Sequence, residues 1–131
     1  MHLTRKTGVE KASGEYAFFL DGDDDLAPNA CEQFVNAMEQ HPVDILHFGI
    51  TVIGENGIHD DERKAFESFN NAPTPDSMGK DIVRDIFDES RGQRVDWRVT
   101  QRLFRTDLLK KSFASMSSSR LERQKMATNA S

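Results

Sequence analysis

The sequence predicts an α/β fold, a mixed sheet flanked by helices, on three observations. A continuous apolar run at Tyr16–Leu20 stops at a cluster of acids, as a strand buried on both faces does at its carboxyl end. Apolar side chains at Ala30, Cys31, Phe34, Val35 and Met38 recur at helical spacing. A β-branched stretch from Asp44 to Ile53 supplies a second strand.

The elements follow in order. Residues 3–12 place Leu3, Val9 and Ala12 among Arg5, Lys6, Glu10 and Lys11, which predicts a short helix ended by Ser13-Gly14, where glycine suits a C-terminal cap. The Tyr16–Leu20 strand comes next, then a helix after Pro28 with Glu32 in its first turn; it runs to about Gln40, where His41-Pro42 stops it. Glu55-Asn56-Gly57 after the second strand favours a hairpin, with a return strand from about Ile58. Residues 60–76 are polar, contain Pro73 and Pro75, and read as a loop. Ile82, Val83, Ile86 and Phe87 mark another amphipathic helix. Val95–Phe104 leads into a last helix at Asp107-Leu108-Leu109, with Thr106 as its expected N-cap. After Phe113 the periodicity ends, so a domain over 1–113 and a poorly ordered polar tail over 114–131 are expected, with no internal repeat.

Composition narrows the function. A net charge of -5 excludes a general nucleic-acid binder, since phosphate backbones are held by clustered Lys and Arg. No apolar stretch approaches the roughly 18 residues of a membrane span, and Met1–Lys6 lacks a signal-peptide core, so no transmembrane segment or secretion signal is expected. Cys31 is the one cysteine; it has no partner at disulfide or metal spacing and reads as a small buried apolar residue in a reducing, cytoplasmic setting.

The chemistry concentrates in Asp21-Gly22-Asp23-Asp24-Asp25, four carboxylates in five residues. Such crowding is costly unless something positive offsets it, and hard ions such as Mg²⁺ or Mn²⁺ suit oxygen ligands supplied jointly by carboxylates and a substrate's phosphates. In open α/β sheets, ligands sit outside the carboxyl ends of the strands, where this loop falls. Two other patterns share the same residues. Asp21, Asp23, Asp25 and Glu32 match four places of an EF-hand loop, but Leu26 occupies its required glycine and a strand precedes it. A strand ending in Asp-x-Asp also resembles the nucleophile motif of haloacid-dehalogenase-type, Mg²⁺-dependent phosphotransferases, although Asp25 stands where that family has Thr or Val.

The longer string from Arg5 to Pro28, RKTGVEKASGEYAFFLDGDDDLAP, resembles the signature of family 2 glycosyltransferases, roughly R-N-x-G-x-x-x-A-x-G-E-Y-hydrophobic-L-D-x-D-D-x-L-x-P. Trp97–Leu109 resembles the family's K-L-F-R-x-x-L-L segment more weakly, with Thr100-Gln101-Arg102 in place of Trp-Asn-Lys. Trp97 by itself reads as a core anchor rather than a sugar platform.

The resemblance implies a partial GT-A, Rossmann-like fold and inverting transfer of a sugar from a nucleotide-diphosphate donor to an acceptor hydroxyl, with Mn²⁺ or Mg²⁺ as cofactor. Arg5, Asp21 and Asp23 are then the donor-binding residues, Asp21 near the ribose, and Asp23, Asp21 and Asp24 the metal ligands. Lys6 replaces the usual asparagine beside Arg5. The family's first strand and helix are expected before Leu3, and its Glu-Asp pair, whose Asp is the general base, shortly after Phe113; neither is in this sequence. Glu122 is the only acid after Phe113, and a solvated glutamate is its simplest reading, which leaves the catalytic base unassigned and turnover weak or absent. A non-catalytic, nucleotide- or metal-binding fragment is the alternative. At family level the acceptor is a glycan or lipid-linked hydroxyl, and the setting is bacterial cell-wall or polysaccharide synthesis in the cytoplasm, with peripheral association at the inner membrane face.

Overall fold

The computed structural model describes residues 2–54, 57–74, 76–87 and 99–116. Five helices and three strands follow along them: α1 (His2–Lys11), β1 (Tyr16–Phe18), α2 (Ala30–Gln40), β2 (Ile45–His47), α3 (Asp60–Asn70), α4 (Lys80–Phe87), β3 (Arg102–Arg105) and α5 (Thr106–Ser115). The strands form one sheet in the order β1-β3-β2, so the last of the described strands takes the central position. That place explains its burial: Leu103 and Phe104 are both buried, whereas β1 is half-buried throughout.

By compactness the chain divides into two units. One comprises the described residues of Met1–Ala17 and Phe104–Ser131, and the other is Phe18–Leu103.

In the first unit α1 packs against α5, and each contributes a buried apolar side chain, Val9 and Leu109. Apart from Leu3, which is 76% exposed, the rest of α1 is largely polar and carries a Lys6–Glu10 pair at 3.7 Å, so packing of one residue row rather than a broad apolar stripe holds it. α5 does not use Thr106 as its N-cap. Arg105 occupies the cap position without a side-chain cap bond, Thr106 is the first helical residue, and its backbone N–H donates to Glu15 O at 3.0 Å. The helix continues two residues beyond Phe113, to Ser115. Residues 117–131, with Glu122, lie outside the described residues, as do Trp97, Pro75 and the Glu55-Asn56 part of the expected turn.

In the second unit α2 begins and ends as its sequence requires, and it buries Ala30 and Met38 with Phe34 and Ala37 half-buried beside them. Cys31 is exposed, not buried: it lies with the half-exposed Val35 one turn on, about 100° round the helix from Ala30. The expected strand burial is also corrected. β1 stops at Phe18 and Leu20 is 51% exposed, because a strand at the edge of three lacks the neighbours that bury a central one.

The largest departure follows β2. The strand ends at His47, and the polar stretch read as a loop is α3. Gly57 has φ +113°, in keeping with the expected turn, but no return strand starts at Ile58. Asp60, Asp61 and Glu62 place three acids in the first turn of α3, where the helix dipole favours them, and Arg63 lies 3.7 Å from Asp60 and 3.8 Å from Glu67.

Side chains of α3 and its C-cap then do what a return strand would have done. Asn71 accepts from Ile50 N–H at 2.7 Å and donates to Ile50 O at 2.8 Å. One turn back, Glu67 accepts from Val52 N–H at 2.9 Å, and a further turn back Arg63 donates to Val52 O at 3.2 Å. Residues four apart share a helix face, so one row of side chains satisfies an extended backbone. Gly49 belongs to this clamp, since a Cβ there would lie 3.0 Å from Asn71 Oδ1.

On α4, Asp85 is buried, with Ser77 donating to its Oδ2, while Val83 and Phe87 are exposed.

Asn71→Ala removes both bonds to Ile50 and should cost about 1 kcal/mol, lowering the urea midpoint with little change in slope. An unchanged midpoint would show that the clamp contributes nothing to stability.

Candidate donor and metal site

The candidate site is built where β1 runs out. Phe18, the last residue of β1, packs edge-on against Phe34 of α2 at 5.6 Å and against Phe48 just beyond β2 at 6.2 Å. Phe34 and Phe48 are 4.7 Å apart. Three rings from three elements hold the root of the acidic loop.

Past Leu20 the chain turns at Gly22-Asp23, and Asp24 N–H donates to Asp21 O at 3.1 Å. This turn folds the loop back so that Asp21, Asp23 and Asp24 each present a carboxylate oxygen within 4.8 Å of the others, all three residues being exposed. Pro28-Asn29 then starts α2, where Ala30 N–H donates to Ala27 O at 3.0 Å.

Three like charges so close repel one another, and a divalent cation shared among them would reverse the sign of that interaction. The donor set is all oxygen and open to solvent, which fits a hard ion that keeps water or phosphate oxygens in its remaining positions. Asp25, the fourth carboxylate of the run, is exposed and is not part of the convergent group.

Arg5, the other donor-site residue expected from sequence, sits half-buried on α1 in the first unit. That unit holds an open cleft of about 320 Å³ lined by Ala12–Glu15 and by Arg105, Thr106, Asp107 and Lys110. Its walls carry both signs of charge, Glu15 and Asp107 against Arg105 and Lys110. Thr106 Oγ1 is buried and has no hydrogen-bond partner among the described residues.

A model of glycosyl transferase family 2 matches residues 3–111, from the first turn of α1 into α5. The chain belongs to glycosyltransferase family 2. No curated protein and no solved structure matches it. The α/β arrangement is accordingly a partial GT-A fold, and a domain of this family performs glycosyl transfer between a nucleotide-sugar donor and an acceptor. No helix among the described residues is long and apolar enough to cross a membrane.

One residue of this family 2 domain was not singled out for any role from the sequence. Gln101 is 3% exposed and joins Phe48 to Asn70, with its Nε2 donating to both carbonyls at 3.4 and 3.3 Å. The available signal was its place in the Thr100-Gln101-Arg102 departure from the family pattern, a polar residue directly before the apolar Leu103-Phe104 pair.

Two substitutions test the local physics. Thr106→Val replaces a buried, unpartnered hydroxyl by a methyl of the same shape, and should raise stability by about 1 kcal/mol. A loss of that size would mean that the hydroxyl has a partner. Asp24→Asn relieves repulsion in the loop, so without divalent ions its melting temperature should equal or exceed the parent's, and the gap should narrow as NaCl screens the loop.

Proposed function

We propose that this chain is the donor-binding part of an inverting, metal-dependent hexosyltransferase, organised as a partial catalytic domain over 1–113 with a polar tail over 114–131. The observation that carries the reading is the convergence of Asp21, Asp23 and Asp24 on a turn that follows β1, in a chain of this family.

In this reading Asp23, Asp21 and Asp24 hold Mn²⁺ or Mg²⁺, which when bound neutralises charge on the departing nucleoside diphosphate. Asp21 accepts hydrogen bonds from the donor ribose, and Arg5 binds the nucleotide. The three-ring cluster holds the root of the loop. No described residue is assigned as the general base. Glu122 is the only acid in 114–131 and is left without a role, so the general base is unassigned. The acceptor is a glycan or lipid-linked hydroxyl, and the chain acts in the cytoplasm, in bacterial cell-wall or polysaccharide synthesis.

Calorimetric titration with UDP and GDP, with and without Mn²⁺, tests the reading. Binding by one nucleotide that requires Mn²⁺ and is lost in Asp23→Ala is the expected result. Mn²⁺ alone should also raise the melting temperature of the parent and not of the variant, since an ion bound only to the folded state stabilises it by mass action. Absence of nucleotide binding in every condition would overturn the assignment.

A further inference from the structure

We infer that Gln101, acting through the rings of Phe48, Phe34 and Phe18, is a positioning residue for the acidic loop. The inference rests on the metal-site reading above and adds the group that holds the site in shape.

The argument starts from Phe48. Its backbone N–H donates to Gln101 O at 3.0 Å, and its carbonyl accepts from Gln101 Nε2 at 3.4 Å. Both polar groups of one residue's backbone are therefore held by Gln101. The same amide donates to Asn70 O at 3.3 Å, which ties the clamp to the end of α3. Gln101 is buried, its bond to Asn70 is buried and its bond to Phe48 partly so, and their loss would leave polar groups without partners.

Fixing the backbone of Phe48 fixes the point from which its ring leaves. That ring lies 4.7 Å from Phe34 and edge-on to Phe18. Phe18 is three residues before Asp21, about 10 Å of extended chain, and Asp21 is the residue whose carbonyl closes the turn onto Asp24. A shift of the rings therefore reaches the carboxylates with little slack to absorb it. Cation affinity is sensitive to such shifts, because ligands must be held to about half an ångström.

An alanine at position 101 keeps the backbone bond and loses both amide bonds. An asparagine, one methylene shorter, would fall short of the two carbonyls. Gln101 thus has a reason to be glutamine in this chain.

The test is titration of the full chain with Mn²⁺ alone, with free ion followed by electron paramagnetic resonance and folding by far-ultraviolet circular dichroism. The parent should bind, and Gln101→Ala, Phe34→Leu and Phe48→Leu should each bind about tenfold more weakly while remaining folded. Gln101→Ala combined with Phe48→Leu should lose little more than either alone, because the two act in series. Asn71→Ala loosens the same unit at Ile50 without touching the rings, and should keep the parent's affinity. If Gln101→Ala fails to fold, Phe34→Leu against Asn71→Ala decides. Parent-like affinity in the ring and glutamine variants, or an equal loss in Asn71→Ala, would overturn the positioning role and leave the metal site standing. No Mn²⁺ binding by the parent would instead overturn the metal site itself.

Discussion

The constraint on which the second unit depends is the backbone of the short segment after β2. From Phe48 to Val52 the chain is not assigned to a strand, yet its N–H and C=O groups need partners wherever water is excluded. Four side chains meet the need: Gln101 at Phe48, Asn71 at Ile50, and Glu67 with Arg63 at Val52. A row at four-residue spacing along one helix thereby takes over the task of a sheet neighbour. The arrangement costs nothing in extra chain, but it makes the placement of α3 a condition for the placement of Ile50 and Val52.

From Phe48 the order of dependence runs toward the site. The three rings are half-buried rather than sealed in a deep core, and among the described residues the buried apolar side chains are few: Val9, Ala30, Met38, Leu103, Phe104 and Leu109. With so little apolar burial, specific polar contacts carry more of the burden of fixing geometry than they would in a larger core. Buried Asp85 with Ser77, and buried Gln101 with Phe48 and Asn70, are the same solution in two places.

The acidic loop shows how this family 2 domain brings three carboxylates together from few elements. The chain turns at Gly22-Asp23, the Asp24-to-Asp21 backbone bond closes the turn, and the placing of aspartates around it sends three carboxylates to a common point. Leaving the cluster in solvent keeps its mutual repulsion modest.

What the sequence determined by itself was whatever depends on neighbours a few residues apart. Helix periodicity and stop signals placed α1, α2 and α4, the apolar run placed β1, and the spacing of Asp21, Asp23 and Asp24 located the acidic cluster, because turns and helical faces are set within four residues. Only the tertiary structure decided the rest. Whether Cys31 and Leu20 would be covered depended on which faces found partners. Whether Ile58 began a strand depended on a competition that α3 won, through its acidic first turn and its reach to Ile50 and Val52. The role of Gln101 lay in bonds to Phe48 and Asn70, respectively 53 and 31 residues away, and no local pattern carries information over such separations.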